Sequence, residues 1–266
     1  MIRRSTDIVI GVIDSGFSPA QAPWVMASRR FALDGDGGLI QGETVPDAIG
    51  HGSAVLEVML RSAPDLRCCV AQVFGERGCT SAVQIASALD WLAAKGVRLI
   101  NLSLGVRQDY PVLRQACERA LAAGILLLAA SPARGAPVYP AAYPGVWRVT
   151  GDARCAVGEW SWLDSAQADF GCIVRPDPRG AAGASLGCAA FSGLVASWLA
   201  RHPRTDTSEL RRHLQQHAAH VGIERRQVSD RPQTVHDLPS PVRPDDVQPA
   251  TFLPPRLLGR PGEPGP

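Results

Sequence analysis

Asp14, His51 and Ser185, three side chains of this 266-residue chain, are of types that together could move a proton and attack an electrophilic carbon. Asp14 ends the apolar run Ile10-Gly11-Val12-Ile13 and is followed by Ser15-Gly16. A carboxylate at the C-terminal end of a buried strand stands where open α/β sheets gather their catalytic groups. His51 lies between Gly50 and Gly52 at the start of a helical pattern, and no other histidine precedes residue 202. A site that needs an imidazole from the body of the chain therefore has one candidate. Ser185 opens a long apolar helix after Gly183-Ala184, where unpaired first-turn N–H groups favour a developing anion. Singly, each is ordinary, because an Asp after a strand is a common turn residue and a Ser at a helix start is most often a cap. Together, a carboxylate, an imidazole and a hydroxyl are the parts of nucleophilic acyl transfer.

The elements that must position them read as alternating strands and helices. Short β-branched or apolar runs at Ile8–Ile13, Cys68–Phe74, Val97–Leu104 and Ile125–Ala130 fit strands buried on both faces. Helices are expected over Gly50–Arg61, Ser81–Lys95, Pro111–Ala123, Ser185–Arg201 and Thr207–Ala219. Thr80 or Ser81 is available as an N-cap, Gly96 and Gly124 as stops, and Pro111 as a first helical residue. Strand and helix alternating at this spacing predict an α/β fold, a three-layer arrangement with a mostly parallel sheet covered by helices on both faces. Residues 1–222 read as that domain. From 223 to 266 the chain turns Pro- and Arg-rich with few large apolar residues, and the expectation is a disordered or loosely docked extension.

Composition narrows the chemistry further. An apolar fraction of 45% is enough for a sizeable core, and a net charge of +2 makes no electrostatic case for nucleic acid as a partner. No run reaches the roughly 20 apolar residues of a membrane span, and the start Met1-Ile2-Arg3-Arg4 shows no secretory signal pattern. Seven cysteines, an odd number without a regular framework, suit small buried hydrophobes in a reducing compartment. The expectation is a cytoplasmic protein without membrane partners. His213, His217 and His220 have ligand-like helical spacing, but beside Arg211-Arg212 they read as a solvated helix face. No clustered carboxylates suggest calcium, so neither a metal nor another cofactor is expected. Cys188, one helical turn after Ser185, reads as packing.

The order Asp, His, Ser along the chain, with the residues around each, resembles the subtilisin-like family of serine peptidases. Val12-Ile13-Asp14-Ser15-Gly16 is similar to that family's Asp motif, and His51-Gly52-Ser53-Ala54-Val55 to its His-Gly-Thr-x-Val motif. Ile100-Asn101-Leu102-Ser103-Leu104-Gly105 resembles the substrate-binding strand, and Gly183-Ala184-Ser185 stands where the family has Gly-Thr-Ser. Tyr143-Pro144-Gly145-Val146 and Arg201-His202-Pro203 also match recurrent connecting segments. The resemblance covers about residues 7–222. It implies a serine endopeptidase in which Ser185 attacks a peptide carbonyl, His51 relays the proton and Asp14 orients the imidazole. It also implies that Leu102, Ser103, Leu104 and Gly105 pair with substrate as an added strand.

One departure stands out. The family places an oxyanion-binding Asn after the next strand, and here the run is Ala129-Ala130-Ser131-Pro132-Ala133-Arg134. Alignment puts either Pro132 or Ala133 at that position, and neither side chain can donate. The backbone N–H of Ser185 remains, and Ser131 or Arg134 is a possible substitute. Loss of one such donor typically costs about 10²–10³ in rate. The sequence is also similar in its short scaffold to maturation proteases of the quinohemoprotein amine dehydrogenase type. That likeness implies a polypeptide substrate that is a leader-bearing precursor, with its modifying enzyme as a further partner. The narrow-specificity processing peptidase is the leading expectation, and a catalytically weak pseudo-peptidase acting as a peptide-binding module is the alternative.

Overall fold

Apolar strands punctuated by glycine- and proline-bounded helices build a single sheet with helices on both faces. The computed structural model describes residues 8–75, 77–175 and 182–224. The chain runs β1 (Val9–Asp14), β2 (Val25–Leu33), β3 (Leu39–Gly42), α1 (His51–Ser62), β4 (Arg67–Gln72), α2 (Ala82–Ala94) and β5 (Leu99–Leu102). It continues with α3 (Pro111–Ala122), β6 (Leu126–Ala130), β7 (Trp147–Asp152), β8 (Trp160–Trp162), β9 (Phe170–Ile173), α4 (Ala184–Arg201), α5 (Thr207–Gln216) and β10 (His220–Val221). Among the described residues these ten strands form one sheet in the order β10-β8-β9-β7-β6-β5-β1-β4-β2-β3. Neighbours are parallel except at β2–β3 and β8–β9.

The two-residue period of β1 divides the core. Ile10 and Val12 face one side with Val55, Leu56 and Met59 of α1 and Ala189 and Phe191 of α4. Ile13 faces the other with Ile85, Leu89 and Leu92 of α2 and Leu113 of α3. Each of these side chains is buried, and full burial of one Leu, Ile or Val contributes about 1.5–3 kcal/mol. Parallel β1 next to β4 and β5 puts Asp14, Gln72 and Leu102 at one edge of the sheet, the C-terminal edge.

The structure shortens two expected strands. β4 stops at Gln72 and β5 covers only Leu99–Leu102, and Ser103, beyond β5, hydrogen-bonds Ser185. β2, β3 and β7 to β10 were not predicted. β2 carries Ser28, Arg29 and Arg30, so its apolar pattern is interrupted, and β8 and β10 have three and two residues. α5 ends at Gln216, with His217 as its C-cap, three residues before the expected end. The extension expected from residue 223 lies, beyond Glu224, outside the described residues.

Candidate active site

Asp14 is the last residue of β1 and is fully buried. Its Oδ1 accepts the Ser15 backbone N–H at 2.7 Å and lies 2.7 Å from His51 Nδ1. Its Oδ2 is buried with no hydrogen-bond partner among the described residues. His51 is the first residue of α1, and its side chain keeps 37% of its exposure, so one ring nitrogen is tied to a buried carboxylate while the ring edge meets solvent. Burial pulls the imidazole pKa down, but the hydrogen bond and charge of Asp14, with the charge of Asp47, outweigh it and leave it above the ordinary histidine value.

Why α1 starts here is visible in its backbone. Gly52 N–H donates to Ser15 Oγ at 2.8 Å, which draws the first turn against the end of β1. A Cβ at Gly52 would stand 2.3 Å from the Gly16 carbonyl oxygen, so only glycine permits that approach. Asp47 caps the same turn: its Oδ1 accepts Gly50 N–H, and its Oδ2 accepts both the Ser53 N–H and the Ser53 hydroxyl. Burial raises the Asp47 pKa, and these donors more than reverse it, so the carboxyl sits below its ordinary value. Gln72, paired with Asp14 across β1–β4, donates from Nε2 to the carbonyls of Ser15 and Val45 and accepts Val45 N–H. Asp47 and Gln72 were not singled out from the sequence; the Asp four residues before His51 was the one available capping signal.

Ser185 is the second residue of α4, preceded by Gly183 at φ +133°, a conformation that side-chain-bearing residues rarely adopt. Its hydroxyl donates to the Ser103 carbonyl oxygen at 2.9 Å, and Ser103 Oγ donates back to the Ser185 carbonyl at 2.9 Å. Asn101 extends the link, giving its amide to Ser103 Oγ and accepting the Ser192 hydroxyl, each at 2.9 Å. The structure thus joins Asp14 to His51 and Ser185 to Ser103, and among the described residues no hydrogen bond connects Ser185 with His51.

The expected substrate strand divides in two. Leu102 is fully buried in the α2–α3 core and paired with β1 and β6 on its two sides, so it offers no edge to a peptide, and this corrects its inclusion. Ser103, Leu104 and Gly105 lie beyond the ladder, and Val106 then pairs with Tyr139 in an isolated antiparallel bridge.

Ser131 is not free to stand in for the missing oxyanion Asn. Ser131 N–H donates to the Val149 carbonyl and its hydroxyl to the Gln167 carbonyl at 2.6 Å, so both donors are engaged away from Ser185. Pro132 and Ala133, half-buried and exposed, have no donating side chain. Arg134 makes no hydrogen bond or ion pair among the described residues. The Ser185 N–H lies in the first turn of α4, where N–H groups have no intrahelical partner.

The histidines expected to share a face of α5 do not. His220 lies on β10, with Nε2 2.9 Å from the Arg154 carbonyl oxygen. His213 and His217 stack at 4.2 Å, and Trp198 lies between His213 and His202 at 5.0 and 4.2 Å. Among the described residues no group of three or more His, Cys, Asp and Glu side chains is arranged to hold a metal ion. Cys188 is buried inside α4, where desolvation pushes its thiol pKa up.

Residues 5–151 match the model of the subtilase family. Alkaline elastase YaB from Bacillus sp. (strain YaB) is 26% identical over 237 residues, covering 82% of this chain and 61% of that protein, so the chain spans about three fifths of that relative. Among solved structures, a lanthipeptide protease superposes with TM-score 0.56 at 16% identity, over 78% of each chain. The prenylagaramide maturation protease PagA superposes with TM-score 0.54 at 17% identity, over 78% of this chain and 80% of its own. The two structures share the fold. With the family model covering more than half of its length, the chain belongs to the subtilase family.

Proposed function

We propose that the chain is a serine endopeptidase of narrow specificity that removes a leader or pro-segment from a particular polypeptide. The observation that carries the hydrolytic reading is the 2.7 Å contact between the buried Asp14 carboxylate and His51 Nδ1. It fixes the ring and leaves Nε2 without a protein partner among the described residues. In this reading the Ser185 hydroxyl turns from Ser103 toward His51 Nε2, gives up its proton as Oγ bonds to the peptide carbonyl carbon, and the imidazolium returns that proton to the leaving amine. Asp14 stabilises the charged ring, and the Ser185 N–H receives the oxyanion. Water then cleaves the acyl-enzyme with the same base.

The processing role is supported by two structural neighbours, one named a lanthipeptide protease and the other a maturation protease. A leader-bearing precursor is the substrate this suggests, with its modifying enzyme as a further partner. Seven free cysteines, six of them buried, favour a reducing cytoplasmic setting, and among the described residues no helix is long and apolar enough to cross a membrane.

One observation favours a second reading, a peptide-binding pseudo-peptidase: the Ser185 hydroxyl is bonded to Ser103 and not to His51. A fluorophosphonate probe distinguishes the two. Labelling that Ser185→Ala abolishes supports the peptidase, and absence of labelling in the wild type supports the binder.

A further inference from the structure

Residues 131–135, which follow β6, are clasped at both ends by one residue. The Gln167 carbonyl oxygen accepts the Ser131 hydroxyl at 2.6 Å, and Gln167 Nε2 donates to the Gly135 carbonyl oxygen at 3.0 Å. Gly135 has φ +105°, a conformation that glycine adopts without strain. Gln167 is itself fixed, in the short turn between β8 and β9. There Ser165 Oγ donates to the Ala168 carbonyl oxygen and accepts the Ala168 N–H, each at 3.0 Å. Arg148 Nη1 donates to the neighbouring Ala166 carbonyl oxygen at 2.7 Å.

The fold sets this clasped loop beside the nucleophile. β6 lies between β5 and β7, and Leu102 of β5 is in register with Ala129, so Ser103 and Ala130 follow side by side. Ser185 is bonded to Ser103, and a Cβ on Gly187 would stand 2.7 Å from the Thr150 carbonyl oxygen of β7. The first turn of α4 therefore spans the end of β6. Ala130, the last residue of that strand, shares a core with Leu186 and Ala189 of α4, and the loop begins at the next residue. Its main-chain donors can be followed in order. Ser131 gives its N–H to the Val149 carbonyl oxygen, and Pro132 has none. The N–H groups of Ala133, Arg134 and Gly135 have no hydrogen-bond partner among the described residues.

Attack on a peptide bond places negative charge on the carbonyl oxygen, and donors already aimed at that oxygen stabilise it most. The Ser185 N–H is one. We infer that Gln167 is a positioning residue for this step: by holding residues 131–135 closed, it presents one of their unbonded main-chain N–H groups to the oxyanion as a second donor. A main-chain donor needs no particular side chain, so Pro132 and Ala133 are no obstacle to it. Gln167 touches no reacting atom and acts through the loop, sparing it the ordering that a loose loop would undergo at each turnover. The inference deepens the peptidase reading and rests on it.

The test is the rate at which an alkyl fluorophosphonate labels Ser185 in the full-length protein. Ser185 Oγ bonds to phosphorus, its proton passes to His51 and fluoride leaves. The P=O oxygen stands in for the oxyanion, and the plain alkyl chain offers no side chain to a substrate pocket. Gln167→Ala and Gln167→Glu are expected to lower the maximal labelling rate about tenfold or more, with the half-saturating probe concentration unchanged. The pH at which labelling rises should stay that of the wild type, because Asp14 and His51 are untouched. Backbone esters at 133, 134 and 135 in turn, each compared with the amide of the same side chain, remove one N–H at a time. One of them should lower the rate by about 10²–10³. These esters keep every side chain, so they decide the matter even if Gln167→Ala fails to fold. Wild-type rates in all three esters, or in folded Gln167→Ala, overturn the inference. So does a fall confined to the half-saturating concentration, which would make the loop a binding wall, or a shifted pH limb, which would place the effect on His51. A wild type that is not labelled overturns the peptidase reading itself, and the inference with it.

Discussion

The Ser185 and Ser103 backbones and hydroxyls are reciprocally bonded: each hydroxyl donates to the other residue's carbonyl oxygen at 2.9 Å. This pair ties the start of α4 to the end of β5, and Asn101 and Ser192 hold it from beneath. Ser103→Ala removes the middle of that chain and strands the buried Asn101 amide. We predict a loss of about 1–3 kcal/mol in urea unfolding, together with a fall in kcat larger than any change in KM. A kcat that is unchanged would mean the link does not position Ser185.

His51 makes activity and stability respond oppositely to pH. As a general base it must be neutral, so kcat/KM should rise through a pKa above the ordinary histidine value of 6.5. Because the folded pKa is raised above the unfolded one, the contribution of His51 to stability is fully present below about pH 6.5 and is lost as pH rises through the folded pKa. Asp47→Asn removes one charge that raises it, and should move the acid limb of the rate profile to lower pH. A limb that stays in place would show that Asp47 acts on α1 alone.

Gly52→Ala probes the fit of α1 against β1. The new methyl would meet the Gly16 carbonyl oxygen at 2.3 Å and cannot move without displacing backbone. We expect destabilisation of about 1–3 kcal/mol and a loss of fluorophosphonate labelling, because the same shift separates His51 from Asp14. Wild-type labelling in a stable Gly52→Ala protein would show that the Asp14–His51 contact does not depend on this close approach.

The imidazole column on α4 and α5 carries a separate pH dependence. Burial and the neighbouring His217, His202 and Arg201 lower the His213 pKa. A histidine with a depressed folded pKa stabilises the fold above the unfolded value near 6.5, and that contribution is lost as pH falls toward the folded pKa. His217→Gln should therefore lessen the drop in thermal midpoint between pH 7 and pH 5, about the range over which histidine titrates. An unchanged drop would assign the acid sensitivity elsewhere.

The strands and helices nearest the site were legible because their signals are local. β1 and β6 are short continuous apolar runs, Ser81 caps α2 through the Gln84 N–H, and Pro111 opens α3. β2, β3 and β7 to β10 were not legible: charged residues interrupt β2 and β7, and β3, β8, β9 and β10 have four residues or fewer. The stop of α5 at Gln216 also escaped, because His217 and Ala218 carry no breaker signal.

By itself the sequence determined the family resemblance, the layered α/β architecture and the types and order of Asp14, His51 and Ser185. Motifs within a few residues of each site are local properties of the chain. Only the tertiary structure decided that Asp14 and His51 meet, that Ser185 rests on Ser103, and that Ser131 is engaged elsewhere. It alone placed Gln72 in the row of Asp14, and Arg30 beyond it. These contacts join strands and helices far apart in the chain, and a hydrogen bond across such a separation is chosen by sheet order and register, which no local pattern records.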